Sequence, residues 1–383
     1  MITTTEIFIQ EKLNFLDETI SKQLNKRYWI IYVGIIAVFL SLIVNTPILS
    51  LYTHATDHWS SKVFEAQVNH PFTPIQIEEY NPPSSDYGIT SHLDKIAFRI
   101  TVPILGHIFH TGAYSWILFN VISGFLFFPL LVSVIYRYSK NKLLATYITL
   151  AFAMSYTGSR FFNDNGFCDG LAWLFLLIPL LYTNIYSVFF CILFASFVDE
   201  RALIASASIP LFFIVNSNQK KQSIFSLIKV NSRIVITSAV AWLVYFVLRY
   251  YLSNTFNLHT GTTMLLTKSI LWYHAQKSIP YGIICVFQIL WIWFFLGFIY
   301  LYTSKHWTVS VSYTFIFILL FFTSIIVFDI ERSLGYCFTL LLSCILMDSV
   351  SIKTKIKLSR LSFLGGFFLI VPFNTVIRYL NHI

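Results

Sequence analysis

The stretch Thr157–Gly170 sets Arg160, Asn163, Asp164, Asn165 and Asp169 between two apolar runs, with glycines at 158, 166 and 170. Two carboxylates five residues apart, with amides between them, can hold a hard divalent cation through oxygen ligands or orient a hydroxyl-rich substrate. Glycines there permit tight turns and close approach of a ligand. The longer ligand ladder and closing Glu of an EF-hand are absent. The plainer reading is a solvated turn in which Asp164 forms an Asx-turn and Asp169 N-caps the following helix.

Two further corners echo each other: Phe-Val-Asp199-Glu200-Arg201 and Phe-Asp329-Ile330-Glu331-Arg332. Ionisable residues between apolar runs are costly unless paired or bathed by water, and so point to function. As a purely structural alternative, the acids begin the next helix, where its dipole favours them, and the arginines reach headgroups. Upstream, residues 52–112 carry Asp57, Glu65, Glu78, Glu79, Asp86 and Asp94 around a proline-rich middle. Loops of that length without a role are uncommon. Within it Leu93, Ile96, Ile100, Ile104 and Ile108 recur at steps of three or four, the pattern of a helix lying in a membrane interface, with Arg99 off the stripe and Pro103 marking its start or a bend. His54 and His58 bracket Asp57, and His107 and His110 stand three apart, yet no His-Glu-x-x-His or Cys-His arrangement accompanies them.

The elements that must position these groups are membrane helices. Of 383 residues, 56% are hydrophobic and only 11% charged, at a mean hydropathy of +0.70. A soluble domain carries about a quarter charged residues, so this chain cannot clothe a globular surface. Unbroken apolar runs such as Tyr28–Leu51 and Trp307–Phe328 exclude the alternating pattern of an outer-membrane barrel. The expectation is therefore an all-α polytopic bundle of about eleven transmembrane helices, near 28–51, 113–136, 143–157, 170–182, 185–198, 202–216, 234–252, 281–303, 308–328, 333–349 and 361–379. Residues 1–27 form an N-terminal segment, 28–383 one transmembrane domain, and the first apolar run exceeds a secretory h-region, so a retained first span is expected.

With the N-terminus cytoplasmic, 16 of the 26 Lys and Arg residues fall inside and 12 of the 17 acids outside. That is the sorting expected of the positive-inside rule. The net charge of +9 is then a topology signal and gives no case for nucleic-acid binding. Five scattered cysteines imply neither a disulfide framework nor a paired-Cys metal site. No nucleophile elbow, P-loop or dinucleotide fingerprint is present. Short loops and the lack of a sorting tail suggest a bacterial inner membrane.

This layout resembles the GT-C class of membrane glycosyltransferases, which use polyprenyl-phosphate-linked sugars. The resemblance covers roughly residues 28–252: a cytoplasmic N-terminus, a long first outer loop with an acid just after span 1, an interfacial helix before span 2, and an acid-bearing loop between spans 3 and 4. It implies Asp57 as base, with Asp86 or Asp94 as alternative first-loop acids, Asp164 or Asp169 as the second-loop counterpart, and Arg99, Arg160 or Arg201 on a lipid phosphate; the polar loop and the charged corner themselves nominate Asn163 and Glu200 for substrate binding. Transfer to a hydroxyl needs a general base near the acceptor and positive charge at the leaving phosphate, for which the guanidinium fork is suited. The rival expectations are a transporter or lipid flippase, from the short middle spans and their ionisable corners, and a non-catalytic subunit of an envelope-assembly complex.

Overall fold

A computed structural model of the chain describes residues 4–44, 59–74, 96–162, 168–216, 229, 231–258, 279–304, 307–326, 330–347 and 349–381. Among the described residues the fold is helical, without strands. The helices used below are α1 (Thr4–Leu24), α2 (Trp29–Val44), α3 (Trp59–Asn69), α4 (Thr101–Phe109), α5 (Ser115–Ser139), α6 (Lys142–Met154), α7 (Asp169–Leu181), α8 (Ile185–Val198), α9 (Arg201–Ser206), α10 (Ser208–Asn216), α11 (Ser232–Phe256), α12 (Ile279–Phe287), α13 (Trp291–Thr303), α14 (Trp307–Ile326), α15 (Ile330–Gly335), α16 (Phe338–Leu346) and α17 (Ile352–Asn381). Among the described residues four helical stretches are long and apolar enough to cross a membrane: α5 with the turn before it, α11, most of α12 with α13, and α14. Five shorter apolar stretches accompany them: α2, α6, α7, α8 and the α9–α10 pair.

The shortness of several of these has a packing reason. Every residue of α6 from Leu144 to Met154 is buried, and α7 is buried along nearly its whole length. Helices that are apolar on all sides belong inside a bundle, and these two are enclosed by α2, α5, α8 and α17. Of the long helices α11 is the most peripheral, with Leu243, Val247 and Tyr250 all exposed. An apolar exterior of this extent is consistent with an integral membrane protein. Local stops are written in the sequence. Asn141 N-caps α6 by accepting from Leu144 N at 2.9 Å, and Asn184 caps α8 by accepting from Ser187 N at 2.7 Å. Gly34 lets α2 lie directly on Pro129 of α5, where a Cβ would collide with the ring.

Four apolar runs expected to be continuous are interrupted, the first at Ser155, whose extended backbone ends α6 within the expected 143–157 span. Between α9 and α10 the cause is Pro210, which lacks the N–H that would bond the Ser206 carbonyl, while the Ser206 and Ser208 hydroxyls turn back onto the carbonyls of Leu203 and Ala205. Between α12 and α13, Gln288 adopts a left-handed φ of 49° and its side chain donates to Met154 O at 3.1 Å. Between α15 and α16 the chain turns at Tyr336 and Cys337, after Gly335. The interfacial stripe is also shorter than its periodicity predicts. Helix α4 begins only at Thr101, with Pro103 in its first turn, where a missing N–H costs nothing. Ile96, Phe98 and Ile100 before it are buried in the turn, and Leu93 lies outside the described residues.

Candidate functional site

Charged side chains from five separate segments meet at one end of the bundle: Arg99 before α4, Asp169 at the start of α7, Asp199–Arg201 between α8 and α9, Arg249 near the end of α11, and Arg332 on α15. Asp169 begins α7, where the helix dipole favours a carboxylate. Gly170 beside it keeps the chain close enough to α5 for Gly170 N to donate to Asn120 Oδ1 at 3.1 Å. The Asn120 amide in turn donates to Arg160 O at 3.0 Å. One side chain therefore fastens both ends of the loop that carries Asn163 and Asp164.

The inner part of the network is closed to solvent. Asp169 is 3% exposed and Asp199 1%. Arg201 holds Asp199 through its planar fork, with Nε donating to Oδ1 and Nη2 to Oδ2, both at 2.7 Å. The same guanidinium reaches Asp169 Oδ1 at 3.1 Å and Ser333 Oγ at 2.9 Å. From the other side Arg332 donates through Nε and Nη2 to the two Asp169 oxygens, and the Tyr336 hydroxyl donates to Asp169 Oδ1 at 3.1 Å. The two echoed corners thus deliver an arginine each to one carboxylate. Burial alone would raise the pKa of Asp199, but the adjacent Arg201 and Arg99 guanidiniums outweigh it and hold the carboxyl well below the usual carboxylate range.

The outer part is a partly exposed rim. Arg99 lies 3.2 Å from Asp199 and 3.5 Å from Glu200, and Glu200 lies 3.5 Å from Arg249 on its other side. The Arg249 guanidinium donates to the Tyr245 hydroxyl at 2.6 Å and sits 4.2 Å above the Phe98 ring. Phe98, Ile100, Phe197, Tyr245 and Leu252 form an apolar clasp under the rim, and Thr101 Oγ1 adds a hydrogen bond to Phe194 O at 3.0 Å. These contacts seat the segment before α4 across α8 and α11.

Of the residues nominated from sequence, Asp169, Arg99, Glu200 and Arg201 come together here. Arg160 is buried with its guanidinium 4.2 Å above the Tyr156 ring. Asp57, Asn163 and Asp164 lie outside the described residues, as does Asp329 of the second corner. Among the described residues no group of three His, Cys, Asp or Glu side chains could hold a metal ion. Sequence reasoning left Arg249, Ser333 and Tyr336 unmarked. Arg249 carried a usable signal, as a charge about two turns from the end of a mostly apolar helix; Ser333 and Tyr336 carried none. No family model matches this sequence, and no curated protein or solved structure shows a match to it.

What the arrangement can do follows from its two parts. Asp169 accepts from three side chains and Asp199 is paired with three arginines, so neither is poised to take a proton; they fix the arginines. The rim offers guanidinium groups at fixed positions, the geometry that recognises phosphate.

Proposed function

We propose that this protein is a membrane glycosyltransferase of the GT-C kind, transferring a sugar from a polyprenyl-phosphate donor at the extracytoplasmic face. In this reading the chain has about eleven spans, a cytoplasmic N-terminus and a place in a bacterial inner membrane. The observation that carries it is the convergence of Arg99, Asp169, Glu200, Arg201 and Arg332 at one end of the bundle, although 233 residues separate the first from the last. Arg99 and Arg249 would face the leaving phosphate, with Asp169 and Asp199 organising the arginines behind them. The base then falls to Asp57 or Asp164, and a divalent cation, if one is used, to Asp164 and its neighbours.

The test is transfer from polyprenyl-phosphate hexose and hexosamine donors by the purified full chain in proteoliposomes. Asp57→Asn and Asp164→Asn are read beside Asp169→Asn, with folding checked by thermal melting. Loss of transfer in the first or second variant with an unchanged melt supports the assignment. Transfer undiminished in both Asp57→Asn and Asp164→Asn, or absent from the wild type with every donor, removes it.

One observation favours a second reading. The interrupted pairs α9–α10 and α15–α16 pack on each other beside the network, with the Ser208 and Thr339 hydroxyls hydrogen-bonded across the contact. Interrupted helices at ionisable groups are the layout of transporters. Cysteines placed around Asp199 that can be labelled in turn from both faces would favour transport; labelling from one face only would favour the transferase.

A further inference from the structure

A cleft of about 530 Å3 opens on the side of the bundle between α9–α10, α11 and α14. Its walls are Leu203, Ala207 and Leu211 on one side, Trp242 and Phe246 on the second, and Phe315 on the third. It faces outward, since Phe246 and Phe315 are both more than half exposed. Along α11 it runs from Val235 to Phe246, about 16 Å at the rise of a helix. The Trp242 indole N–H donates to Ser206 Oγ at 2.8 Å, which leaves Ser312 as the one polar side chain in a lining that is otherwise apolar.

No rim residue lines the cleft, but two of the helices that wall it lead on to the charged rim. Val235, Trp242, Phe246 and Arg249 fall at steps of seven, four and three, which places the guanidinium at the head of the stripe that lines the cleft. Leu203 stands two residues beyond Arg201 and three beyond Glu200 on the opposite wall. Among the described residues four guanidiniums and three carboxylates make up the network, an excess of one positive charge. At its exposed edge Arg249 meets Glu200 at 3.5 Å, longer than a charge-assisted hydrogen bond.

We propose that this cleft holds the hydrocarbon chain of a membrane lipid whose single anionic phosphate pairs with Arg249. Charge complementarity selects the head, and the length and mostly apolar lining of the cleft select a chain. Glu200 competes with that phosphate for the same guanidinium, so the two rim residues act on occupancy with opposite signs. The site stands whether or not sugar is transferred, because its readout is binding alone.

The test uses the full chain in nanodiscs with photoactivatable phosphatidylglycerol carrying a diazirine in the acyl chain, against phosphatidylcholine with the same chain. Labelled positions are mapped by mass spectrometry. The expected result is labelling by the anionic probe concentrated on 203–214, 235–246 and 312–319, reduced on the order of tenfold by Arg249→Gln and raised several-fold by Glu200→Gln. Ala207→Phe, which fills the cleft without touching a charge, lowers labelling by both probes. Equal labelling by both probes that neither rim variant changes overturns the proposal. So does labelling spread over every exposed helix face, or disulfide cross-linking of a cysteine introduced at Phe315 to the same position in a second copy of the chain.

Discussion

Basic side chains serve different purposes at the two ends of this bundle. At the end opposite the ionic network they mostly neutralise helix termini: Lys142 Nζ donates to Leu24 O at 2.8 Å, Lys355 Nζ to Leu346 O at 3.2 Å, and Arg137 to Leu181 O. Carbonyls at helix C-termini are partly negative and lack intrahelical donors, so a cation there is stabilising and its shape matters little. One acid, Asp17, joins in; it accepts from Tyr147 and Arg360 and ties α1 to α6 and α17. At the network end Arg201 and Arg332 instead address carboxylates through several hydrogen bonds each, fully buried, from segments remote in sequence. A helix end needs only a positive charge. The network needs guanidinium geometry, and that is the mark of a constructed site.

The largest effect expected from this contrast is on stability. Removing one partner of a buried ion pair strands the other, at a cost of about 3–5 kcal/mol. Asp199→Ala and Asp169→Ala are each expected to fall in that range, measured as loss of folded protein in a denaturant or thermal series in detergent. Replacing Asp199 and Arg201 together by Met leaves less charge unpaired and is expected to recover part of the loss. If Asp199→Ala melts like the wild type, the network is not the closed ionic unit described above.

That network was only half legible in the sequence. The helical class, the apolar runs and the charged corners follow from composition and run length, because a chain with 11% charged residues leaves few places to put them. Asp169 could be read either as a helix cap or as a site residue; in the structure Cys168 takes the cap position, and Asp169, the first helical residue, turns its carboxylate to Arg201, Arg332 and Tyr336 instead. The pairing of residue 169 with 332 could not be read, since no local pattern encodes a contact over 163 positions. Interruptions at Ala207 and Gln288 were hidden too, because hydropathy is blind to a missing backbone donor at Pro210 or to a turn within an apolar run.

Exchanging arginine and lysine sharpens the comparison at intermediate magnitude. Arg332→Lys keeps the charge but loses the fork on Asp169 and is expected to cost about 1–3 kcal/mol, whereas Arg137→Lys at the opposite end should stay within about 0.5–1 kcal/mol. Equal losses in paired melts would mean that both ends require only charge.

The dependence on pH carries a definite sign. The folded-state pKa of Asp199 lies below its unfolded value. Its ionised form therefore contributes fully to stability above about pH 4, and the contribution is lost as pH falls through the folded value. Melting curves of the wild type between pH 7 and pH 3 should steepen at the acid end, and Asp199→Asn should flatten that limb while lowering the plateau. A limb that is unchanged in this variant would assign acid sensitivity to other carboxylates.

The smallest stability effect belongs to the rim. The Glu200 side chain is 28% exposed and meets Arg99 and Arg249 at 3.5 Å, so its pairs are worth about 0–1 kcal/mol. Glu200→Gln should melt within that margin of the wild type. Its effect on anion binding should nonetheless be the clearest of the set, because it uncovers two guanidiniums that Asp199 and Tyr245 continue to hold in place. A residue that matters little for folding and much for phosphate affinity is what separates a binding rim from a structural clamp. Loss of stability comparable to that of Asp199→Ala would instead join Glu200 to the buried network and erase the division between its two parts.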